Sequence, residues 1–437
     1  MSDPPRVRLH SLGCRLNEAE LEAWARGFRR LGLRVAAEGE PADLVVVNTC
    51  AVTQEAARKS RQMLRRSRRL DPQARLVVSG CLSTLEPGSL GGGPDLVVGN
   101  QDKDRLVEIA ATSLDLPAVP LQDALAPSET LFARGRQRAF VKVQDGCRHR
   151  CTFCITTLAR GDERSRPIAE VVGLVNRLTD SGIQEILLTG VHLGGYGSDL
   201  GGDPAGGLAD LIRALLAETA MPRIRLGSLE PWDLPSGFWG LFADSRLMPH
   251  LHLPMQSGSE RVLRRMGRRC RPAQLARLAA EGRAAVPGLN LGTDIILGFP
   301  GETESDWEET LVFVEAVGFG QIHAFPYSPR PGTRAASLPG RVDAATQRRR
   351  AQELTALAKR LRRGVLEAQV GTGAAVLREE APRPAGPAGL FGYTPNYLPV
   401  RIDPDPAAPP AGEIIGVRIL GVTADGEMLR GRRESPG

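Results

Sequence analysis

The chain has 437 residues, of which 42% are hydrophobic and 24% charged, with a formal net charge of +6 at pH 7. This length leaves room for about three domains, and the composition excludes a disordered tail or a small disulfide-stapled fold. No apolar run is long enough to span a bilayer, and the start MSDPPRVRLH lacks the apolar core of a signal peptide. We therefore expect a cytoplasmic protein whose seven cysteines are thiols, metal ligands or redox centres.

The first predicted unit covers residues 1–111. Short apolar runs, among them VRLH, LVVV, LVVS and DLVVG, alternate there with helical patterns. This alternation is typical of a parallel, Rossmann-like α/β domain. Pro117, Pro120 and Pro127 fall in a stretch without periodicity, which indicates a linker over residues 112–134.

The second predicted unit covers residues 135–363 and the third residues 364–434. Six strand-like runs, AFVKV, EILLTG, RIRLGS, HLHLPM, NLGTDIILG and QIHAF, are separated by helical segments. Successive βα units predict a partial, TIM-like (βα)6 barrel with its chemistry at the C-terminal ends of the strands. The short β segments and proline-rich loops after it predict a small antiparallel, OB-like β-barrel, so the fold class is α/β with a β-barrel tail.

The sequence QDGCRHRCTFC places Cys147, Cys151 and Cys154 in one loop directly after the first barrel strand. Three thiolates at this spacing can bind three irons of a 4Fe-4S cubane and leave the fourth iron open. The alternatives are three unrelated cysteines and a zinc site, but zinc requires a fourth protein ligand, and no nearby residue lies at finger spacing. The loop resembles that of the radical S-adenosylmethionine enzymes, including an aromatic residue, Phe153, before the last cysteine.

That resemblance implies that the open iron chelates the amino and carboxyl groups of S-adenosylmethionine. An electron from the cluster then cleaves the cofactor to a 5′-deoxyadenosyl radical. Cys147, Cys151 and Cys154 are therefore the predicted catalytic and metal-binding residues.

Three further cysteines share a position at the end of a predicted parallel strand. Cys14 follows VRLHSLG, Cys50 follows LVVVNT and Cys81 follows LVVSG. The carboxyl ends of neighbouring parallel strands form one crevice, so the three thiols are candidates for a second metal centre. The alternative is that each packs as a small buried hydrophobic residue. Cys270 matches no ligand spacing and is predicted to be a spare thiol.

Over nearly its full length the chain resembles the radical S-adenosylmethionine methylthiotransferases. The shared motifs are LGCRLNEAELE, NTCAVTQEAARKSRQMLRR, SGCLS, QDGCRHRCTFC, LTGVHLGGYG, GSLEP, LHLPMQSGSERVLRRMGR, TDIILGFPGET and GYTPNYLPV. The resemblance implies a second, auxiliary 4Fe-4S cluster on Cys14, Cys50 and Cys81 that carries or donates sulfur. It also implies that the tail is a TRAM module that holds the substrate.

Within that family, NTCAVT followed by KSRQ most closely resembles the branch that acts on threonylcarbamoyl-adenosine beside the tRNA anticodon. The chain departs from the branch at Thr156-Thr157-Leu158, where a proline and an aromatic residue are expected. The resemblance implies an electron donor, such as a flavodoxin or a ferredoxin, and a sulfur donor. We expect neither DNA nor a membrane as a partner.

Polar residues at the ends of the barrel strands are candidates for contacts with S-adenosylmethionine. Gly190 would allow close approach, Ser228 and Glu230 could accept hydrogen bonds, and Gln256 is placed similarly after HLHLPM. Phe153 completes this predicted cofactor-binding set.

The helix after Cys50 is the candidate RNA-binding surface. Arg58, Arg61, Arg65 and Arg68 fall on one stripe, and no acidic residue occurs between Arg58 and Leu70. A solvated charged face is the usual meaning of such a stripe, but the lack of acidic partners favours phosphate binding. The predicted packing stripe is opposite and contains Ala56, Ser60, Met63, Ser67 and Leu70.

The sequence leaves three other functions open. Two are related methylthiotransferases, which act on isopentenyl-adenosine in tRNA or on a ribosomal-protein aspartate. The arginine-rich helices and the GYTPNYLPV module disfavour the protein substrate. A non-catalytic iron-sulfur RNA-binding protein is the third.

Overall fold

The structure is a computed structural model that describes residues 4–37, 39–116, 137–201, 204–380 and 390–434, with the backbone alone at 204–206. The predicted linker at 112–134 lies mostly outside the described residues. None of the helices among the described residues is both long and apolar enough to cross a membrane.

A five-stranded parallel sheet with the strand order β2-β1-β3-β4-β5 forms the first domain. Its strands are β1 (Arg6–Ser11), β2 (Arg34–Val35), β3 (Leu44–Thr49), β4 (Arg75–Gly80) and β5 (Leu96–Val98). Its helices are α1 (Arg15–Arg30), α2 (Gln54–Leu70), α3 (Cys81–Leu85) and α4 (Leu106–Ser113). All six residues of β3 are buried because helices cover both faces of the sheet.

The central domain is an open barrel of six parallel strands, as predicted. The strands are β6 (Arg138–Lys142), β9 (Glu185–Thr189), β10 (Arg223–Leu226), β11 (His250–His252), β12 (Asn290–Leu297) and β13 (Gln321–Pro326). They form two three-stranded sheets, and a parallel bridge between Ser228 and His252 links them. A short hairpin, β7 (Gln144–Asp145) with β8 (Arg164–Ser165), follows β6.

The helices of the barrel are α5 (Thr156–Arg160), α6 (Ile168–Asp180), α7 (Pro204–Glu218), α8 (Glu260–Met266), α9 (Pro272–Ala285), α10 (Glu304–Val317) and α11 (Ala344–Glu367). Short 3₁₀ turns occur at Pro87–Ser89, Lys103–Arg105, Leu193–Gly195, Phe238–Ala243 and Arg334–Ser337.

Side chains of the barrel strands alternate between two environments. Ala139 and Val141 of β6 join the large apolar core shared with the outer helices, whereas Phe140 faces the other way. There Phe140 and Leu187 pack against Ala19 of α1. A helix of the first domain therefore lies against the concave face of the barrel, an arrangement that the sequence patterns did not predict.

The tail forms the predicted closed five-stranded barrel, in the order β14-β15-β16-β18-β17. Its strands are β14 (Gly373–Glu379), β15 (Leu390–Tyr393), β16 (Pro399–Ile402), β17 (Ile414–Val422) and β18 (Leu429–Arg433). All pairings are antiparallel except that of β16 with β18, which is parallel.

Aromatic residues of the tail contact the floor of the central barrel. The rings of Tyr393 and Tyr397 stack 4.9 Å apart, and the guanidinium of Arg138 lies over both. Arg138 also donates to Glu379, with its Nε 2.9 Å from Oε1. Phe391 is buried, so none of these three rings is a free platform for stacking RNA bases.

Candidate active site

The loop of Cys147, Cys151 and Cys154 is held by backbone hydrogen bonds to two neighbouring segments. The N–H of Cys147 donates to the carbonyl of Gly161 (3.1 Å), and that of Thr152 donates to the carbonyl of Met266 (2.8 Å). Gly146 turns the chain into the loop with φ 73°, and a Cβ there would lie 1.8 Å from the Asp162 carbonyl oxygen. Only glycine fits this approach.

The three loop thiols interact electrostatically with one another. Burial raises the pKa of Cys147 to about 12 and also raises that of Cys151, so neither thiol ionises readily unless a metal stabilises the thiolate. Among the described residues, neither this cysteine set nor the strand-end set has all its sulfur atoms within 4.8 Å of one another, as ligands of a single ion would be. Thiols spread more widely than the ligands of a single ion are compatible with the corners of a cubane, and Cys147 Sγ lies within 4.8 Å of ligand atoms of Glu163 and His192.

Arg268 is the cation beside this loop. Its Nη1 lies 3.9 Å from Cys151 Sγ, and both of its terminal nitrogens donate to the carboxylate of Glu230 (3.0 and 2.7 Å). Its guanidinium also lies 4.5 Å from the ring centroid of Trp232. Burial alone would lower the pKa of Arg268, but the charge of Glu230 raises it, so Arg268 remains a fixed positive charge. Glu230 thus holds this arginine in place.

The other predicted cofactor-binding residues have different local surroundings. A Cβ at Gly190 would lie 2.9 Å from Gln144 Oε1, so glycine is required for packing at that strand end. Ser228 is exposed, and Phe153 packs against the barrel core. Gln256 has φ 78°, an unusual value for a residue with a side chain, and its backbone is held by Asp294 and Ile296.

Sequence reasoning missed a histidine cluster beside Cys147. His192 lies between two carboxylates, with Nδ1 2.6 Å from Glu163 and Nε2 2.7 Å from Asp233, and His149 Nε2 is 3.0 Å from His192 Nε2. Burial would lower the pKa of His192, but hydrogen bonds to both carboxylates raise it above its ordinary value. The four residues are far apart in sequence, and no spacing pattern connects them.

The strand-end cysteines follow three adjacent strands of the first sheet. Cys14 follows β1, Cys50 follows β3 and Cys81 follows β4, and the order β1-β3-β4 places their carboxyl ends side by side. The thiols of Cys14 and Cys81 each interact electrostatically with that of Cys50. Burial raises the pKa of Cys50 to about 11. The structure therefore brings the three strand ends and their thiols together, as ligands of one centre would require.

Small and polar neighbours shape this crevice. Gly13 has φ 103°, and a Cβ there would lie 2.6 Å from Cys50 Sγ, so only glycine fits against this buried thiol. Ser60 of α2 fixes the backbone of Cys50, because its hydroxyl accepts from the N–H and donates to the carbonyl at 3.0 Å each. Asn100 Nδ2 lies 3.9 Å from Cys81 Sγ.

Arg160 comes from the central domain but lies beside the strand-end thiols. It donates to Asn17 Oδ1 (2.7 Å), Glu20 Oε1 (2.9 Å) and Asp145 Oδ1 (2.8 Å), and its side chain is almost fully buried. Its charge acts on both Cys14 and Cys50 to lower their pKa against the effect of burial. Nothing in the sequence pattern indicated this contact between domains.

A buried ionic network joins the two cysteine sites. Glu20 of α1 accepts from Arg160 and also pairs with Lys103 (2.6 Å) and Lys142 (3.4 Å). Asp145, two residues before Cys147, pairs with Arg160 and Lys142. The ion pairs fix the strand-end crevice of the first domain against the loop of the second.

The arginine stripe of α2 differs from its prediction in one respect. Three of its four members do have acidic partners: Arg58 pairs with Glu55, Arg61 with Glu86 and Arg68 with Asp95. Arg65 is the one member of the four that makes no ion pair within the described ranges, and it is exposed. The absence of acids within the helix was therefore a poor guide, because two of the partners come from loops packed beside it.

The packing side of α2 also differs from the prediction. Its buried residues are Ala57, Ser60, Leu64 and Ser67, whereas Leu70 is 57% exposed. Ser60 and Ser67 were correctly assigned, and Met63 packs half-buried against the same core. The fully buried neighbours Ala57 and Leu64 were missed, and Leu70 was wrong.

The structure also shows where Cys270 and the segment Thr156-Thr157-Leu158 lie. Cys270 is buried in the apolar core of the barrel, consistent with a spare thiol. Thr156-Thr157-Leu158 begins α5, where Thr157 donates to the His149 carbonyl (3.1 Å) and Leu158 is 55% exposed.

Family models match both halves of this site. The model described as "Uncharacterized protein family UPF0004" matches residues 6–99, and that of the Radical SAM superfamily matches residues 141–314. Among solved structures, the radical S-adenosylmethionine methyltransferase TsrM from Kitasatospora setae shares the fold with a TM-score of 0.57 at 17% identity, covering 76% of this chain and 75% of that one. The fold and the loop thus define a radical S-adenosylmethionine enzyme.

Similarity to curated proteins shows which kind of radical S-adenosylmethionine enzyme this is. The threonylcarbamoyladenosine tRNA methylthiotransferase MtaB of Bacillus subtilis is 35% identical, covering 90% of this chain and 89% of that protein. A tRNA-2-methylthio-N(6)-dimethylallyladenosine synthase of Novosphingobium aromaticivorans is 36% identical, covering 90% of each. The chain belongs to the family of radical S-adenosylmethionine tRNA methylthiotransferases. It is an enzyme that transfers a methylthio group to tRNA, with 4Fe-4S chemistry and S-adenosylmethionine as cofactor.

Proposed function

We propose that this enzyme converts threonylcarbamoyl-adenosine next to the tRNA anticodon to its 2-methylthio form and uses two 4Fe-4S clusters. Cys147, Cys151 and Cys154 would hold the cluster that binds S-adenosylmethionine. Cys14, Cys50 and Cys81 would hold the auxiliary cluster. The observation that supports the two-cluster proposal is that the protein has two sites with three thiols each. One buried ionic network holds these two sites next to each other.

The chemistry requires both sites. When bound, the cluster and S-adenosylmethionine supply a radical that breaks an unactivated C–H bond, which no side chain can do. The residues of the chain hold and shield this centre: Arg268 contributes a fixed charge at Cys151, and α1 covers part of the concave face. Of the predicted cofactor contacts, Gly190, Ser228 and Gln256 remain proposed. Glu230 pairs with Arg268, and Phe153 packs against the barrel core.

Two observations support the threonylcarbamoyl branch. MtaB proteins of Bacillus subtilis and Thermotoga maritima are 35% and 34% identical to this chain. The motif NTCAVT followed by KSRQ also resembles that branch. Enzymes named for dimethylallyl-adenosine are equally similar in overall identity, so the substrate needs a direct test.

We further propose that domains at 1–111, 135–363 and 364–434 share the work of holding tRNA. Arg65 is the stripe member best placed for phosphate contact, since it is exposed and makes no ion pair within the described part of the chain. Arg58, Arg61 and Arg68 would bind phosphate only by exchanging their acidic partners. A flavodoxin or ferredoxin would supply electrons, and a separate donor would replace the sulfur.

The decisive experiment is nucleoside mass spectrometry. The gene is expressed in cells that lack both tRNA methylthiotransferase activities, and digested tRNA is analysed for the two 2-methylthio nucleosides. Appearance of 2-methylthio-threonylcarbamoyl-adenosine alone supports the proposal. Appearance of 2-methylthio-isopentenyl-adenosine instead would place the enzyme in the other branch.

A further inference from the structure

A group of polar side chains lies on the concave face of the barrel, away from both cysteine loops in sequence. His252 at the end of β11, Asp294 of β12 and His323 of β13 have ligand atoms that all lie within 4.8 Å of one another. His252 Nε2 is 3.0 Å from Asp294 Oδ1, and the rings of His252 and His323 are 5.6 Å apart. Gly292 makes room for them, since a Cβ there would lie 2.9 Å from His252 Nδ1.

Arg15, from the first domain, acts electrostatically on His323 of this group. It is the first residue of α1, directly after Cys14, and its guanidinium lies 5.8 Å from the ring centroid of Tyr397. Its charge acts on both His250 and His323 and helps burial to lower their pKa. The N-terminus of α1 therefore places a cation in the lumen of the barrel.

Arg15 differs from the other lumen arginines, because it has no acidic partner among the described residues. Arg138 is paired with Glu379 and Arg225 with Glu185, as Arg268 is with Glu230 near the mouth. Within the described ranges Arg15 is half-buried and makes neither an ion pair nor a hydrogen bond. A half-buried guanidinium with open donors is a ready site for a carboxylate.

We propose that Arg15, His323 and Asp294 form a subsite for an acidic, amino-acid-derived substituent on the target adenine. Arg15 binds the carboxylate of the substituent, with His323 beside it. Asp294, held by His252, accepts hydrogen bonds from the hydroxyl and the N–H groups of the same substituent. This assignment rests on the proposed function, because the threonylcarbamoyl group carries all three of these features.

The same residues select against an apolar substituent. An isopentenyl group in this place would strip water from Arg15 and Asp294 without replacing their hydrogen bonds. Sites built to bind a polar group reject analogues that lack it far more strongly than apolar pocket walls reject an added methylene. The subsite thus supplies a physical basis for a choice between the two tRNA substrates.

The two histidines and the aspartate also resemble the ligand set of a divalent metal ion. The nearby positive charge of Arg15 opposes a cation there, and a carboxylate ligand accounts for Arg15 whereas a metal does not. We therefore favour the carboxylate, and metal binding becomes an outcome of the test.

The test compares two substrates and two variants. Anticodon stem-loops carry threonylcarbamoyl-adenosine either as the free acid or as its methyl ester, and methylthiolation is followed by mass spectrometry. The wild-type enzyme is expected to prefer the acid over the ester by about 10- to 100-fold in kcat/KM. In Arg15→Gln this preference should fall to near one, mainly through a higher KM for the acid. Arg15→Lys should retain part of it.

Arg30→Gln is the matched control, since Arg30 is an exposed arginine in the last turn of the same helix. It should keep the wild-type preference. Iron content is measured in every variant, so that a disturbed Cys14 site is recognised. A wild-type enzyme that uses acid and ester equally overturns the subsite, whatever the variants do.

Two further outcomes are distinguishable from that failure. If the wild-type enzyme does not methylthiolate the acid at all but does modify isopentenylated RNA, the proposed function itself is wrong. Elemental analysis tests whether the two histidines and the aspartate bind a metal ion instead. One manganese or zinc per chain that is lost in His323→Gln would overturn the carboxylate subsite.

Discussion

The two cysteine sites of this enzyme are assembled differently. Cys147, Cys151 and Cys154 come from one loop of eight residues, whereas Cys14, Cys50 and Cys81 come from three strand ends separated by more than thirty residues each. Each site has one buried arginine. Arg268 beside the loop belongs to the same barrel, but Arg160 beside the strand ends comes from the other domain.

This difference shows which site depends on the association of the domains. The loop is fixed by hydrogen bonds to Gly161 and Met266 within its own barrel. The crevice is closed by Arg160, whose carboxylate partners Glu20 and Asp145 lie on opposite sides of the domain boundary. We therefore expect the loop site to tolerate changes at that boundary better than the crevice does.

The largest effect is expected when the loop cysteines are removed. Replacing Cys147, Cys151 and Cys154 by Ala should abolish S-adenosylmethionine cleavage and lower iron from about eight to about four per chain after anaerobic reconstitution. Iron and sulfide assays together with cofactor cleavage measure this. A wild-type protein that saturates at one cluster would contradict the two-cluster proposal.

Removal of one strand-end cysteine should separate the two activities. Cys50→Ala should cleave S-adenosylmethionine through the loop cluster but fail to attach sulfur, because the auxiliary centre loses a ligand. Cys270→Ala is the control, since its thiol is buried in the barrel core. Parallel loss of cleavage and transfer in Cys50→Ala would show that the sites do not act separately.

Arg160→Gln tests the buried ionic network that connects the two cysteine sites. Breaking a buried ionic network from one side costs about 3–5 kcal/mol, because Glu20 and Asp145 lose a partner. Thermal unfolding should show a lower Tm, and iron should be lost first from the strand-end site. The exposed arginine variant Arg30→Gln should leave the Tm close to that of the wild type. An unchanged Tm in Arg160→Gln would refute the role of this network.

Arg268→Gln should act on the loop site alone. A nearby cation favours the more negative, reduced cluster, and at an effective dielectric constant of about 20 it contributes about 2–4 kcal/mol. Its removal should lower the reduction potential of the loop cluster by on the order of 100 mV, measured by redox titration with electron paramagnetic resonance. The reduction potential of the strand-end cluster should equal that of the wild type within error. An equal shift at both clusters would refute the assignment of Arg268 to the loop cluster.

The smallest effect concerns the arginine stripe. Each phosphate contact adds roughly 0.7–0.9 to the slope of log affinity against log salt, so Arg65→Glu should flatten that slope by about this amount. Arg58→Glu should change it less, because Arg58 already pairs with Glu55. Filter-binding titrations of tRNA at several salt concentrations measure both. Equal slopes in the two variants would show that ion pairing does not decide which arginines bind phosphate.

Much of the fold could be predicted from patterns in the chain. The alternation of apolar runs and helical stripes predicted a parallel sheet, six barrel strands and a terminal β-barrel, and all three are present. The parallel pairing of β16 with β18 was not predicted, because the strand pattern does not specify which strands close a barrel. On the packing face of α2, Ser60 and Ser67 were predicted correctly but Ala57 and Leu64 were missed, since arginine stems and small serines blur its apolar stripe.

The sequence by itself determined which cysteines are candidate ligands, because cysteine spacing in a loop and cysteine position at strand ends are local properties of the chain. Only the tertiary structure decided what surrounds those thiols. Arg160, Arg268, His192 and Arg15 reach their positions from elements distant in sequence, and their partners are chosen by how domains and strands pack. Charge pairing depends on distances in space, so spacing along the chain could not distinguish Arg61, which pairs with Glu86, from Arg15, which makes no ion pair with any residue that the structure describes.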